Sequence, residues 1–321
     1  GAGDLCAAAA DGAAGPLHPA DLIAPTKPPP HDRMILGYNT NGLAHHDLFE
    51  GIELLAQIGY RAVALSIDHH TLNPYRHGFE SQVDKVRAMA DEHALTLVVE
   101  TGARYLLDPA HKHEPTLVSP DPAARGRRVE FLKRAIDTCR LLDARCVSLW
   151  SGANRDGGSR DGAFERLLAG LAEVLAYAEL KGVTLAFEPE PGMLIATLDD
   201  YAELTARLAD ACAPLAPLRL TIDIGHLHCG GETPIADKLR QHAASLANIH
   251  IEDMRAGVHE HLMFGEGEID FPPVVDALRE VGYAGPVTVE LSRHSHCAPT
   301  AARQAYGFLA PLIGRGDAAA P

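Results

Sequence analysis

The chain has few of the features that mark a secreted or membrane-spanning protein. It is 321 residues long and contains six cysteines, none of which forms a CxxC pair. A chain of this size needs no disulfide scaffold, so scattered cysteines indicate a reducing compartment and predict a cytoplasmic protein. No apolar run approaches the roughly 20 residues that are needed to cross a bilayer, so we expect no membrane partner.

Positive charge is also scarce. Lysine and arginine number 28 against 43 acidic residues, which gives a net charge of −15. Nucleic-acid-binding surfaces are basic, so this balance argues against a nucleic-acid partner. The only close basic cluster, Arg125, Arg127 and Arg128, opens a predicted helix, and we interpret it as a solvated face.

The amino-terminal segment has few large apolar side chains. Residues 1–32 are rich in alanine and proline, which predicts a weakly ordered leader. The segment lacks the basic start and leucine-rich stretch of a signal peptide. Regular patterns begin at Met34 and end near Leu312, so we expect one domain over 33–314 and a disordered tail over 315–321.

Short apolar runs alternate with helix-like segments through that domain. The eight runs are MILGYN, RAVALSI, LTLVVE, RCVSLW, VTLAFE, LRLTID, LANIHIE and PVTVE. An open, doubly wound sheet is one alternative, but the loop after the first run, YNTNGLAHHD, lacks the GxGxxG phosphate turn. Eight parallel strand–helix units match a (β/α)8 TIM barrel, which is the α/β fold that we predict for a single domain.

Several of these runs end on acids or histidines, the residue types that commonly bind metals in proteins. The third run ends at Glu100, and the last four place a further set of acids and histidines at their carboxyl ends: Glu188, Glu190, Asp223, His226, His250 and Glu290. The carboxyl ends of parallel strands meet at one mouth of a barrel. Acids gathered there repel one another unless a cation holds them, although separate salt bridges at the rim are the alternative. Such a set suits Mn²⁺, Mg²⁺ or Co²⁺, and Zn²⁺ also fits.

Five motifs extend this interpretation to a family. AFEPEP, TIDIGH, NIHIEDM, HEHLMFGEGEIDF and VTVEL occur in this order, and together they resemble the xylose-isomerase-like TIM-barrel superfamily. That superfamily contains sugar isomerases, ketose 3-epimerases, inosose dehydratase and endonuclease IV. The resemblance implies that Glu188 and Glu290 move protons and that His226 contacts substrate or a second metal. The metal ligands that it implies are Glu188, Asp223, His250 and Glu290.

The implied chemistry is proton transfer next to a carbonyl group. A divalent ion that binds a ketose through its carbonyl oxygen and a neighbouring hydroxyl stabilises the enediolate. Two carboxylates, Glu188 and Glu290, remove a proton from one face and return one to the other. We therefore expect a metal-dependent isomerase or epimerase of a small sugar, keto-sugar or polyol. A dehydratase (a lyase) with the same metal site is the alternative.

Two further functions are less favoured. A phosphodiesterase that acts on damaged DNA conflicts with the acidic charge of the chain. A metal-binding barrel without catalysis conflicts with the presence of both proton-transfer glutamates. The predicted partner is a small carbohydrate. An exposed helix face could also pair two chains, so a homo-oligomer is a second expectation.

The segment His259-Glu260-His261 departs from the epimerase pattern, which has a substrate-binding arginine there. Endonuclease IV has an acid and a histidine, two residues apart, that bind another metal. We expect His259 and His261, together with His226, to bind substrate or a second metal, and simple surface histidines are the third alternative.

The same two roles are open for other side chains near the predicted mouth. His69 follows the second strand, and Glu100 ends the third. Trp150 is the only tryptophan, and its ring is expected either to stack on a sugar or to pack the barrel.

Overall fold

A computed structural model describes residues 33–211 and 217–314. The predicted leader, 1–32, and the predicted tail, 315–321, lie outside these ranges, as do Cys6 and Cys212. The other four cysteines, Cys139, Cys146, Cys229 and Cys297, are free thiols.

Strands and helices alternate along the chain as the apolar runs predict. The strands are β1 (Ile35–Asn39), β2 (Ala62–Ser66), β3 (Thr96–Glu100), β4 (Val147–Leu149), β5 (Leu185–Phe187), β6 (Arg219–Asp223), β7 (Leu246–Ile251), β8 (Asp253–Arg255), β9 (Val258–Leu262) and β10 (Pro286–Val289). The helices are α1 (Leu48–Ile58), α2 (Phe79–His93), α3 (Pro122–Leu141), α4 (Arg160–Lys181), α5 (Leu198–Ala211), α6 (Ile224–Cys229), α7 (Ile235–His242), α8 (Phe271–Glu280) and α9 (Ala298–Ile313).

Eight parallel strands close into a barrel. Their order is β1-β10-β7-β6-β5-β4-β3-β2, and β1 pairs with both β10 and β2. The predicted TIM barrel is confirmed, and the open sheet is excluded. The strand register brings predicted site residues level with each other, because Asp223 on β6 pairs with His250 on β7.

The apolar core lies in two layers. The larger layer packs the helices against the outside of the barrel, and on α4 the side chains of Leu167, Leu171 and Val174 are fully buried there. Each such leucine contributes about 1.5–3 kcal/mol relative to exposure. A smaller, separate cluster joins small side chains from several strands of the barrel: Ala64, Val98, Cys146, Ala186 and Ala247.

Two elements beyond the eight strand–helix units shape the carboxyl end of the barrel. The six-residue helix α6 follows β6 directly, and the Asp223 side chain caps its first turn. The antiparallel hairpin β8–β9 follows β7 and carries the predicted His259 and His261. Among the helices of residues 33–211 and 217–314, none is long and apolar enough to cross a membrane.

Candidate metal centre

Four side chains converge at the carboxyl end of the barrel. Glu188 follows β5, Asp223 ends β6, His250 lies in β7 and Glu290 follows β10. One ligand atom from each lies within 4.8 Å of the others. A cation about 2.1 Å from each ligand sets opposing ligand atoms about 4.2 Å apart, so small side-chain movements suffice to hold one.

His250 lies at the centre of this group and is fully buried. Its Nδ1 is 3.2 Å from Glu188 Oε1 and 2.9 Å from Glu290 Oε2. Its Nε2 is 2.9 Å from Glu100 Oε1, which also accepts a hydrogen bond from Asn248. If Nε2 carries the proton and donates to Glu100, the Nδ1 lone pair points at the carboxylates. Metal-binding histidines are commonly oriented in this way.

The buried acids carry more negative charge than one imidazole balances. Burial raises the pKa of Glu188 to about 8, and the charges of Glu290 and Asp223 add to that rise. Burial and the Glu188 charge raise the pKa of Glu190 well above its ordinary value. Burial alone would also raise the pKa of Glu290, but the adjacent His250 holds it below its ordinary value. A divalent cation would supply the missing positive charge.

Asp223 provides a direct sign that the centre fits a metal. The side chain is buried, and Oδ1 accepts a hydrogen bond of 2.8 Å from the backbone N–H of His226. Oδ2 is also buried and has no hydrogen-bond partner among the described residues. Buried polar atoms are nearly always satisfied, so an orphaned carboxylate oxygen in a ring of ligands indicates a cation position. Three carboxylates and one imidazole suit a divalent ion with open positions.

A cavity of about 490 Å³ opens at the centre and is lined by three of the four ligands, Glu188, His250 and Glu290. Its size lies within the usual range for small-molecule sites, about 300–1,000 Å³. The rest of the lining includes residues of mixed charge: Asn41, Asp68, Arg104, Lys112, His113 and Trp150. Asn41 Nδ2 donates a hydrogen bond of 2.8 Å to Glu290 Oε1.

Three histidines form a second cluster beside the centre. The ring of His226 lies 4.7 Å from that of His259 and 5.9 Å from that of His261, and one nitrogen from each ring lies within 4.8 Å of the others. Burial lowers the pKa of His226 to about 4 and lowers that of His259. Neutral imidazoles can bind hydroxyl groups or a metal, so both predicted roles stay open.

The other predicted site residues fall in three different places. Glu100 lines the cavity but lies behind His250, and it is not a member of any of the possible metal groups within the described residues. His69 is exposed, with Nε2 3.3 Å from the carbonyl oxygen of Tyr105, and is not among the described residues that line the cavity. Trp150 lines the cavity, and its ring meets that of His113 edge to face at 5.7 Å.

Arg128 contradicts its predicted place on a solvated face. Its side chain is 4% exposed and donates hydrogen bonds to the carbonyl oxygens of Pro115, His113 and Thr101 at 2.6, 2.6 and 3.1 Å. The helix places it one turn after Ala124, on the face of α3 that packs against the barrel. The spacing of four residues from Ala124 indicates the buried face of the helix, although the cluster of three arginines suggests an exposed one.

Glu252 is a further residue of the site that the motifs did not single out. It follows β7 two residues after His250, so strand alternation turns both side chains to the same side. Burial and the nearby Asp223 charge raise the pKa of Glu252 well above its ordinary value.

Fold and site together define a TIM-barrel protein with a carboxylate–histidine centre at the carboxyl ends of its strands. Residues 52–312 match the family described as xylose isomerase-like TIM barrel. The chain belongs to this family, as its motifs predict.

Named relatives and solved structures agree with this membership. The chain is 26% identical over 244 residues to L-ribulose-5-phosphate 3-epimerase UlaE of Shigella flexneri serotype 5b (strain 8401), which covers 75% of this chain and 81% of the relative. The structure of an IOLI protein with a binding zinc atom has a TM-score of 0.70 at 20% identity and covers 88% of this chain and 99% of that one. The structure of an L-ribulose 3-epimerase has a TM-score of 0.70 at 18% identity and covers 89% and 96%. Both structures share the fold.

Proposed function

We propose that the protein is a divalent-metal-dependent epimerase or isomerase of a small sugar, keto-sugar or polyol, and that it acts through an enediolate. One observation carries the proposal. Glu188 and Glu290 approach the same nitrogen of His250 from β5 and β10, which two other strands separate in the barrel. The similarity to an L-ribulose-5-phosphate 3-epimerase supports the same chemistry.

Four side chains are proposed as the metal ligands: Glu188, Asp223, His250 and Glu290. When bound there, Mn²⁺, Mg²⁺, Co²⁺ or Zn²⁺ supplies the Lewis acidity that makes a proton beside a carbonyl easier to remove. Glu100 acts on the other side of His250, where it accepts the Nε2 proton and fixes the orientation of the ring.

Glu188 and Glu290 are the proposed proton carriers. Carboxylates on two sides of a planar enediolate can act on opposite faces of one carbon atom. One carboxylate accepts the proton from carbon, and the other donates a proton to the opposite face. This exchange inverts the carbon atom, which is the outcome of an epimerase. If a proton returns to the neighbouring carbon atom, the same residues catalyse isomerisation.

The cavity walls are proposed to bind the rest of the substrate. His226 lines the cavity next to Glu188, with Nδ1 3.5 Å from Glu188 Oε1, and His259 and His261 line it from the hairpin. These imidazoles can donate to and accept from sugar hydroxyls. The Trp150 ring offers an apolar face for the C–H side of a sugar.

The test is exchange of a carbon-bound proton with solvent. Metal-stripped protein is reloaded with single metals and incubated in deuterated water with inososes and with keto-pentoses and keto-hexoses, the ketoses with and without a terminal phosphate. Nuclear magnetic resonance then follows deuterium at the carbon beside the carbonyl group. We expect exchange with at least one ketose after reloading with Mn²⁺, Co²⁺ or Mg²⁺, and none in chelator.

The products distinguish this function from its alternative. An epimeric or isomeric ketose supports the proposal, whereas loss of water from an inosose identifies a dehydratase. Exchange that persists unchanged in chelator contradicts the metal-dependent mechanism.

A further inference from the structure

Glu252 is a buried carboxylate without a visible partner. Its side chain is 0% exposed, and neither Oε1 nor Oε2 has a hydrogen-bond partner among the described residues. A carboxylate removed from water is strongly unfavourable unless it is paired, hydrogen-bonded or bound to a metal. The side chain therefore needs a positive group or a proton.

A second unpartnered oxygen lies next to Glu252. Asp223 Oδ2 is buried and has no hydrogen-bond partner in the described parts of the chain, whereas Oδ1 is occupied by the backbone N–H of His226. Two buried carboxylates this close repel each other when both are ionised. The repulsion is relieved by a cation between them or by a shared proton.

His261 adds a nitrogen ligand to the two carboxylates. The hairpin brings its Nδ1 to 3.9 Å from Glu252 Oε2. One ligand atom each from Asp223, Glu252 and His261 lies within 4.8 Å of the other two. Two carboxylates and an imidazole form a ligand set that divalent transition metals prefer.

The backbone makes room for this arrangement at Gly225. A Cβ atom built at this position would collide with Glu252 Oε1 and would lie 2.8 Å from the side chain of Met254. Any larger residue would thus displace the carboxylate from its place against the first turn of α6. Gly225 leaves a recess that the Glu252 carboxylate fills.

We propose that Asp223, Glu252 and His261 bind a second divalent cation beside the first, with Asp223 shared between the two. The proposal rests on the proposed function only through Asp223, which is also a ligand of the first site. Two-metal centres commonly hold their ions about 3.5–4 Å apart. The second site requires Glu252 and does not require His259, which separates it from the cluster of His226, His259 and His261.

The experiment counts bound ions in the full chain with Mn²⁺ as the probe. Metal-stripped protein is titrated with Mn²⁺, bound metal is measured by equilibrium dialysis and mass spectrometry, and electron paramagnetic resonance detects magnetic coupling between neighbouring ions. We expect two ions for each chain and a coupled spectrum. Glu252→Gln should retain one uncoupled ion, because glutamine fills the same space without the charge.

The matched control is His259→Gln on the same hairpin, which should still bind two coupled ions. Circular dichroism melts check that each variant is folded. If Glu252→Gln fails to fold, His261→Asn is the second variant, since that side chain is only partly buried, and it should also bind one ion.

The outcomes separate this proposal from the proposed function. One ion in the unchanged protein, or two ions in Glu252→Gln, overturns the second site and leaves the epimerase proposal standing. Loss of an ion in His259→Gln also overturns it, since the histidine cluster would then be the second site. Two coupled ions without proton exchange on any ketose support the second site and count against the epimerase. No bound ion overturns both.

Discussion

The two halves of the barrel mouth differ in how their charges are balanced. In the half formed by β1–β4, each acid that lines the cavity has a basic partner: Asp68 lies 3.5 Å from Arg104, and Glu100 lies 2.9 Å from His250. In the half formed by β5–β7 and β10, buried oxygens of Asp223 and Glu252 have no hydrogen-bond partner among the described residues. The second half is therefore suited to cations, and the first half to the remainder of a substrate.

This difference predicts which measurement each variant should change. Substitutions in the second half should lower metal affinity and turnover together, because two of the proposed metal ligands, Glu188 and Glu290, also transfer protons to and from the substrate. Substitutions in the first half, apart from Glu100, which contacts His250 of the second half, should change KM or stability and leave metal affinity unchanged. Variants that violate this division would show that the two halves are not functionally distinct.

Glu290→Gln should have the largest effect. The change removes a ligand charge and a proton carrier together, so we expect turnover to fall by about 10³-fold or more and metal affinity to fall as well. Steady-state kinetics and metal analysis measure the two effects. Glu266→Gln, an exposed acid near the hairpin, is the control and should behave like the unchanged protein. Near-normal turnover in Glu290→Gln would contradict the proposed role.

Arg128→Met should cause the largest loss of stability in the first half. The change leaves the carbonyl oxygens of Thr101, His113 and Pro115 without their donor, and each lost bond to a charged group costs about 1.5–3 kcal/mol. We expect unfolding free energy in urea to fall by about 3 kcal/mol. KM should rise because Thr101 and His113, whose carbonyl oxygens Arg128 binds, line the cavity. The affinity for Mn²⁺ should stay the same.

The exposed neighbour on the same helix supplies the control. Arg127→Met should leave the unfolding free energy within about 0.5 kcal/mol of the unchanged protein. Equal stability in the two variants would mean that the carbonyl contacts of Arg128 contribute little.

The barrel and the four central ligands were predictable because they depend on strong local patterns. Short β-branched runs bounded by turn residues indicate strands, and parallel topology brings their carboxyl ends together. Asp223 and His250 became neighbours through strand register alone.

The hairpin and α6 were not predictable in the same way. The strand Val258–Leu262 has apolar residues only at its two ends and no fully buried residue, so its pattern also fits a loop. The helix Ile224–Cys229 is too short to show helical periodicity. Both elements depend on tertiary contacts at the barrel mouth.

The unpaired state of Glu252 also lay beyond the sequence. Alternation from His250 indicates the side to which Glu252 points. It does not indicate whether a basic partner lies opposite, because that depends on residues distant in the chain.

Glu100→Gln tests a contact that joins the two halves, the hydrogen bond between Glu100 and His250. Glu100 belongs to β3, yet it orients the metal-binding ring of His250 from behind. Loss of such a supporting carboxylate commonly lowers metal affinity by about 10–100-fold, and we expect that range in a Mn²⁺ titration. Asp68→Asn is the matched control in the same half, where affinity should not change. Equal affinities for both variants would remove Glu100 from the metal centre.

Substitution of His113 should give the smallest effect. The change should appear in the pH dependence of the unfolding free energy, through a side chain that lies in the first half. Burial lowers its pKa from 6.5 to about 4 in the folded protein. Between these values the unfolded chain binds a proton that the folded chain does not, so unfolding free energy falls as pH falls from 6.5 towards 4. His113→Gln should reduce the loss between pH 7 and pH 5 by about 2 kcal/mol.

The second half also titrates, so the measurement is made with and without Mn²⁺. A bound cation should change the pH response of the carboxylate centre, whereas the His113 contribution should persist in both states. His111→Gln, an exposed histidine of the same loop, is the control and should keep the full loss of stability at low pH. If Mn²⁺ abolishes the difference between His113→Gln and the unchanged protein, His113 is coupled to the metal centre and the two halves are not independent.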